Sequence, residues 1–258
     1  MLKKLLTAFL CLQISHSVMA GFSAQQMEGH LTTLIPQNAS ATAADGAKYP
    51  VVFFLQGSNG TNTQARLWAE WYARYGIASV MIDSASARGM KRLFGIDYEA
   101  DLAPALEAVQ GNPQLDLSRY AVMGFSRGGT AALDSGTFLM PTQPKPDFVF
   151  ALYPGDSGQC RNTYKDPTKV FVFYGALDDW GDYMGTRNAC SRMPGIYGNA
   201  SFHLLKDAHH GYDGTWAGKW QCCGNRTFTS EPNPEALQYT RDLILKEIQE
   251  KWEPGAPQ

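Results

Sequence analysis

The 258-residue chain has little of several features, and each shortage limits what it can be. Beyond its first residues, no apolar run approaches the roughly 20 residues that a membrane-spanning helix needs. It has no basic cluster and a formal net charge of −2, which makes nucleic acid an unfavourable partner. It also lacks internal repeats, low-complexity tracts and Ser/Gly-rich linkers, so one core is favoured over several. At 44% hydrophobic and 18% charged, its composition is ordinary for a globular protein.

The first residues, MLKKLLTAFLCLQISHSVMA, have the layout of a secretory signal peptide. Lys3 and Lys4 give a positive start, a short apolar stretch follows, and Ala20 supplies a small residue at the predicted cleavage position. We therefore predict residues 1–20 as a signal peptide, residues 21–258 as one domain, and a periplasmic or secreted protein without stable membrane insertion. An amphipathic N-terminal helix is the alternative. Cleavage would remove two lysines and no acid, making the chain more acidic.

Cysteines are scarce, and four would remain after that cleavage: Cys160, Cys190, Cys222 and Cys223. There is no CxxC pair and few histidines lie nearby, so metal binding is disfavoured. An even number in an exported protein predicts disulfides, and four cysteines allow three pairings. Because Cys222 and Cys223 can bond to each other only through a strained eight-membered ring, the spacing alone leaves the connectivity open.

From about residue 49, short apolar segments alternate with helix-like ones. The predicted strands are VVFFL (51–55), IASVMI (77–82), YAVMGF (120–125), FVFALY (148–153), KVFVFY (169–174) and SFHLL (201–205). The predicted helices cover 63–76, 97–111, the stretch after Ser126, and 234–252 with Pro234 at its start; Pro104 should delay or bend the second. This alternation predicts an α/β fold with a mostly parallel sheet covered by helices on both faces.

The stretch Gly124-Phe125-Ser126-Arg127-Gly128 is a G-x-S-x-G match between a predicted strand and a predicted helix. A turn that sharp strains the serine backbone and brings its neighbours so close that only glycine fits. The hydroxyl is raised above the carboxyl edge of the sheet, beside a helix N-terminus. Ser126 is therefore the candidate nucleophile.

A serine hydroxyl needs a base, and only four histidines follow the predicted cleavage site. His30 lies before the predicted sheet, and His203 lies within a predicted strand. His209 and His210 directly follow that strand, in a loop that can face Ser126, and the spacing does not choose between them.

The acid that orients the base should come from another strand-end loop. After KVFVFY, the chain reads Gly175-Ala176-Leu177-Asp178-Asp179. Either aspartate completes the order Ser…Asp…His of the α/β-hydrolases. For the developing oxyanion, we expect the backbone N–H of Arg127 and a second N–H from the loop QGSNGT (56–61), given by Ser58 or Asn59.

The chain resembles the dienelactone hydrolase-like branch of the α/β-hydrolases. The matching segments span roughly residues 50–215 in the family's order: VVFFLQGSNG, IDSASARG, LDLSRYAVMGFSRGGTAAL, ALYPG, VFYGALDDW and DAHHGYD. The resemblance implies that Asp178 is the acid, that His210 is the base and that Cys160 pairs with Cys190.

Two positions depart from the family pattern. The oxyanion loop usually opens with His-Gly, whereas this chain has Gln56-Gly57, and the namesake enzymes use cysteine where this chain has Ser126. A general ester is therefore the expected substrate class, hydrolysed without a metal or other cofactor.

Substrate-binding residues are harder to predict. Gln56 could contact the substrate, and Arg88 could grip a substrate carboxylate or pair with a surface acid. Trp180, Trp216 and Trp220 could line an aromatic pocket or pack long loops. The segment 212–234 is long for a connection and could be a binding element or a disulfide-stapled excursion.

Three functions are compatible with these residues. An exported serine esterase is favoured because all three triad candidates occur in order. A serine peptidase would need an extra substrate-gating domain that the length does not provide. A non-catalytic binding protein of this fold would usually lack a triad member. The oligomeric state cannot be predicted.

Overall fold

The computed structural model describes residues 22–37, 48–60, 63–93, 98–138, 144–156, 160 and 168–252. The signal peptide predicted for residues 1–20 lies outside these residues, so export stays a prediction. In the described part of the chain, no helix is both long and apolar enough to cross a membrane.

Within those ranges the chain forms nine strands and nine helices. The strands are β1 (Leu31–Leu34), β2 (Tyr49–Leu55), β3 (Ala78–Ile82), β4 (Leu115–Phe125), β5 (Phe148–Leu152), β6 (Lys169–Gly175), β7 (Ala200–Leu205), β8 (Gly218–Cys222) and β9 (Arg226–Ser230). The helices are α1 (Ala24–Glu28), α2 (Thr63–Ala73), α3 (Ser84–Ala87), α4 (Leu102–Val109), α5 (Arg127–Phe138), α6 (Asp179–Tyr183), α7 (Thr186–Cys190), α8 (Met193–Ile196) and α9 (Pro234–Trp252), and a 3₁₀ turn (Glu99–Asp101) precedes α4.

Seven strands form one sheet in the order β1-β3-β2-β4-β5-β6-β7. Only β1 runs antiparallel, against β3, and the other pairs are parallel, which confirms the predicted α/β class. The chain goes from β2 to β3 on one side and returns to β4 on the other. The carboxyl ends of β2 and β4 therefore flank the point where the strand order reverses, where open α/β sheets bind ligands.

The core lies on both faces of this sheet. Every residue of β3 and β5 is buried, although successive side chains point to opposite faces. Both faces must therefore be covered, as in other parallel sheets.

The starts of two helices follow from the sequence. Pro104 lies in the first turn of α4, and the Asn233 side chain accepts a hydrogen bond from the Ala236 N–H at the start of α9.

The sequence analysis missed three strands. The edge strand β1 is a short LTTL segment with an exposed centre, and His30 directly precedes it, so His30 adjoins the sheet. Strands β8 and β9 form an antiparallel hairpin inside the segment predicted only as a long connection. Both strands are mostly polar, with Trp220 and Phe228 as their large apolar residues, and so contain no continuous apolar run.

The cysteines form two pairs in the structure. Cys160 and Cys190 form a disulfide with their Cα atoms 4.9 Å apart, the pairing that the family resemblance implied. Cys222 and Cys223 are also bonded to each other, at the turn of the hairpin. The Cys160–Cys190 bond joins the segment after β5 to α7. The Cys222–Cys223 bond lies in the hairpin that follows the predicted base, His210.

Candidate active site

Ser126 occupies a sharp turn between β4 and α5. Its φ angle of 52° lies in the left-handed region, which is uncommon for a residue with a side chain. Its N–H donates to the Leu152 carbonyl at 3.0 Å, and its own carbonyl accepts from the Gly155 and Thr130 N–H groups. These bonds hold the strained turn against the end of β5, so the side-chain hydroxyl has a fixed position.

The glycines around the serine are required by close backbone contacts. A Cβ atom on Gly124 would lie 1.9 Å from the Gly128 carbonyl oxygen, and one on Gly128 would lie 2.1 Å from that of Leu55. On Gly129, a Cβ would lie 2.9 Å from the Leu152 oxygen. The first turn of α5 thus packs directly on the ends of β2, β4 and β5, and side chains are excluded there.

Ser126, His210 and Asp178 form a hydrogen-bonded chain. Ser126 Oγ lies 3.0 Å from His210 Nε2, and His210 Nδ1 lies 3.0 Å from Asp178 Oδ2. Since a carboxylate can only accept, Nδ1 carries the proton, and Nε2 is left to accept the serine proton. Asp178 is fully buried, and its other oxygen accepts the Gly181 N–H at 2.8 Å. The imidazole is therefore oriented to act as a base towards Ser126.

The neighbouring residues point elsewhere. The Asp179 carboxylate accepts the Thr229 N–H at 3.0 Å and so ties α6 to β9. His209 Nε2 lies 4.0 Å from a Glu231 carboxylate oxygen. The structure thus brings Asp178 and His210, the residues that the resemblance implied, together with Ser126, whereas Asp179 and His209 contact other residues.

The candidate oxyanion loop follows β2. Gly57 approaches the nucleophile so closely that an added Cβ would lie 3.8 Å from the Cβ of Ser126. The Ser58 carbonyl accepts the Leu93 N–H at 2.9 Å, which fixes the loop from outside. Arg127 opens α5, where the first N–H groups lack intrahelical partners. The backbone of both predicted donors lies beside Ser126, and their action on an oxyanion stays a prediction.

The structure corrects two predicted substrate contacts. Gln56 is buried, its side-chain oxygen accepts the Ala85 N–H at 2.9 Å, and its amide nitrogen donates to Asp83 at 3.3 Å. Gln56 therefore links the candidate oxyanion loop to the start of α3. Arg88 holds both oxygens of Asp101, at 2.6 and 2.9 Å. Arg88 thus pairs with an acid, as the alternative prediction had it, but that acid is fully buried.

A second buried network, which the sequence analysis missed, supports the base. The Tyr153 ring meets His210 edge-on, with ring centroids 4.7 Å apart. The Tyr153 hydroxyl donates to Asp213, which also accepts from Trp68 Nε1 at 2.8 Å and Gln64 Nε2 at 3.1 Å. Burial raises the pKa of Asp213, against these hydrogen bonds, which lower it. Asp213 lies three residues after His210, at the end of the motif DAHHGYD, and that position was the available signal.

The hairpin β8–β9 carries an aromatic cluster next to the triad. Trp220 packs on Trp180 and Phe228 with ring centroids 5.1 and 4.8 Å apart, and its ring centroid lies 6.2 Å from that of His210. Tyr183 adds a ring 5.6 Å from Phe228. We call Trp180, Tyr183, Trp220 and Phe228 the aromatic face. Trp180 was a predicted substrate contact, and the structure places it in this face, beside the acid.

The arrangement can perform nucleophilic chemistry from side chains alone. It provides a hydroxyl, an imidazole with a free acceptor nitrogen and a buried carboxylate. Within the described ranges, no three His, Cys, Asp or Glu side chains cluster in a way that would hold a metal ion.

Comparison with known proteins places the fold. Thermogutta terrifontis esterase 2, in its form phosphoramylated by tabun, has a TM-score of 0.61 at 15% identity, covering 88% of this chain and 92% of that chain. MGS-M1, an α/β-hydrolase enzyme from a Medee basin deep-sea metagenome library, has a TM-score of 0.54 at 18% identity, covering 85% and 92%. The chain therefore has the α/β-hydrolase fold.

Within that fold, the chain is also similar to a Klebsiella pneumoniae protein assigned as a dienelactone hydrolase. The TM-score is 0.58 at 15% identity, with 84% of this chain and 91% of that chain covered. The resemblance drawn from the motifs is thus confirmed at the level of the fold. No family model and no curated protein matches the sequence.

Proposed function

We propose that the protein is an exported serine hydrolase that cleaves carboxylic esters through an acyl-enzyme on Ser126. The observation that carries the proposal is the pair of 3.0 Å contacts joining Ser126 to His210 and His210 to Asp178. Export rests on the signal-peptide pattern of residues 1–20. The fold neighbours support the ester, since they include esterase 2 structures with propionate and butyrate bound.

In the acylation half-reaction, Ser126 Oγ attacks the ester carbonyl carbon while its proton passes to His210 Nε2. Asp178 accepts the Nδ1–H bond throughout and stabilises the imidazolium. The carbonyl oxygen becomes an oxyanion, to which Arg127 and the Ser58 loop would donate N–H groups. Collapse breaks the bond to the alcohol oxygen, which takes the proton from Nε2 and leaves.

In the deacylation half-reaction, water replaces the alcohol. The water oxygen attacks the acyl carbon while His210 Nε2 takes a proton from the water. The second tetrahedral intermediate then releases the carboxylic acid, and the proton returns to Ser126 Oγ. The same three side chains serve both halves, so no cofactor is required.

The experiment is hydrolysis of p-nitrophenyl acetate and butyrate by the mature protein, with Ser126→Ala and the control Ser191→Ala, an exposed serine after α7. We expect Ser126→Ala to lose about 10⁴-fold or more in kcat, with Ser191→Ala unchanged. A fluorophosphonate probe should label only proteins that retain Ser126. Turnover that survives Ser126→Ala would remove Ser126 from the mechanism, and absence of both turnover and labelling would favour a binding protein.

A further inference from the structure

The proposed mechanism places the alcohol portion of the ester and its acyl portion beside different residues of the site. His210 Nε2 must hand its proton to the alcohol oxygen as the ester bond breaks, so the alcohol leaves past the imidazole. The side chains that flank His210 therefore flank the alcohol portion, whereas the acyl portion stays attached to Ser126. Any side chain that lies beside the imidazole ring and is not fully buried is therefore positioned to contact the alcohol.

Trp220 is such a residue. Its ring lies 6.2 Å from the His210 ring, centroid to centroid, and it is only partly buried. The other aromatic neighbour of the imidazole, Tyr153, is fully buried, and Asp213 holds it in place. Of these two rings beside His210, only Trp220 therefore offers a partly open aromatic surface.

The position of Trp220 is fixed from both catalytic loops. Trp180, two residues after the acid, and Phe228 of β9 pack against its ring. Asp179 holds the hairpin by accepting the Thr229 N–H, and Ser230 forms a bridge with His210 itself. These contacts hold the aromatic face in place beside the triad, as a substrate-binding wall requires.

The segment that carries Asp178 exposes further apolar side chains. Leu177 and Met184 are 47% and 37% exposed, and Tyr183 of the aromatic face is 40% exposed, with the Arg226 guanidinium carbon 4.4 Å from its ring centroid. Large apolar side chains exposed in the segment that carries part of the aromatic face are suited to contact an apolar ligand.

We propose that the aromatic face, with Trp220 at its centre, binds the alcohol portion of the ester and selects bulky apolar alcohols. This inference rests on the proposed hydrolase function and adds to it the substrate class and the side on which selection occurs. The acyl portion is not selected by this surface.

The test uses two ester series and the variant Trp220→Ala. One series keeps the butyryl group and varies the alcohol from methyl to benzyl to 2-naphthylmethyl, and the other keeps the methyl alcohol and varies the acid from acetic to butyric to benzoic. We expect kcat/KM to fall about 10-fold for benzyl and naphthylmethyl butyrate, with less than about 2-fold change in the methyl esters. Trp220→Phe should recover part of the loss. Trp216→Ala, an exposed tryptophan just before β8, is the matched control and should change neither series.

Benzyl and naphthylmethyl butyrate share one acyl-enzyme. If Trp220 selects the alcohol and deacylation limits turnover, their kcat values should therefore stay equal and unchanged by the substitution while kcat/KM falls. A purely structural role for Trp220 predicts instead an equal loss over both series. That result, or a loss that follows the acid, overturns the assignment of Trp220 while the hydrolase function stands. If the wild type hydrolyses none of the esters and no probe labels Ser126, the proposed function and this inference fail together.

Discussion

The contact of Gly124 with Gly128 allows a sharp test of the turn that presents Ser126. An added Cβ on Gly124 would meet the Gly128 carbonyl oxygen at 1.9 Å and the Gly129 nitrogen at 2.8 Å. The first contact is about 1.5 Å shorter than an ordinary non-bonded one. Both neighbours are backbone atoms, so no side chain can rotate away. Gly124→Ala therefore forces the end of β4 and the first turn of α5 apart.

We expect Gly124→Ala to lower the free energy of unfolding by about 3 kcal/mol, the upper end for overpacking. A shift of about 1 Å at Ser126 would also cost about 100-fold in kcat/KM. Urea denaturation measures the first quantity, and hydrolysis of p-nitrophenyl butyrate by the folded fraction measures the second. If the variant does not fold, Gly129→Ala is the milder substitution, with its Cβ 2.9 Å from the Leu152 oxygen.

The matched control is Gly111→Ala, where an added Cβ would meet nothing within 4 Å. It should change the free energy of unfolding by less than about 0.5 kcal/mol and leave kcat/KM unchanged. Equal stability and activity in the two variants would refute the claim that backbone contact demands glycine at position 124.

Two further predictions concern the carboxylates around the base. Asp178→Asn should lower kcat by about 10³–10⁴-fold because the imidazole loses its orienting acceptor. The control Asp179→Asn affects only the bond to Thr229 and should lower kcat by less than about 10-fold. Comparable losses in the two variants would contradict the assignment of Asp178 as the acid. Burial raises the folded-state pKa of Asp213 above its usual value of 3.8, so its contribution to stability is greatest below that value and declines as pH rises through the folded pKa. The stability advantage of the wild type over Asp213→Asn, measured by urea denaturation, should therefore shrink as the pH rises above the usual pKa of 3.8, and a growing advantage would refute the sign.

The sequence predicted the parts of the site that depend on local pattern. Ser126 could be found because a strained strand-to-helix turn demands glycines at fixed positions. The choice between Asp178 and Asp179, or between His209 and His210, could not be made from spacing, because adjacent loop residues point in different directions. The family resemblance implied the members that the geometry now brings together.

For other residues, the partners are too distant in the chain to identify from spacing. Gln56, predicted as a substrate contact, is held by the backbone of Ala85, and Arg88, for which an acid was one of the two predicted partners, pairs with buried Asp101. Tyr153 and Asp213 were overlooked for the same reason, since 60 positions separate them. The hairpin was missed because its strands, GKWQC and RTFTS, are mostly polar and contain no continuous apolar run.

The place of β7 in the sheet has a consequence for how the protein would lose activity. Strand β7 ends the sheet, pairs only with β6 among the described strands, and leads directly into the loop that carries His210. Edge strands with partly exposed residues open at lower free energy than central ones, and they exchange their amide hydrogens sooner. The nucleophile, in contrast, stands at the end of the central strand β4. We therefore expect His210 to lie in a less protected cooperative unit than Ser126, so that local opening at this edge separates the two before the core unfolds.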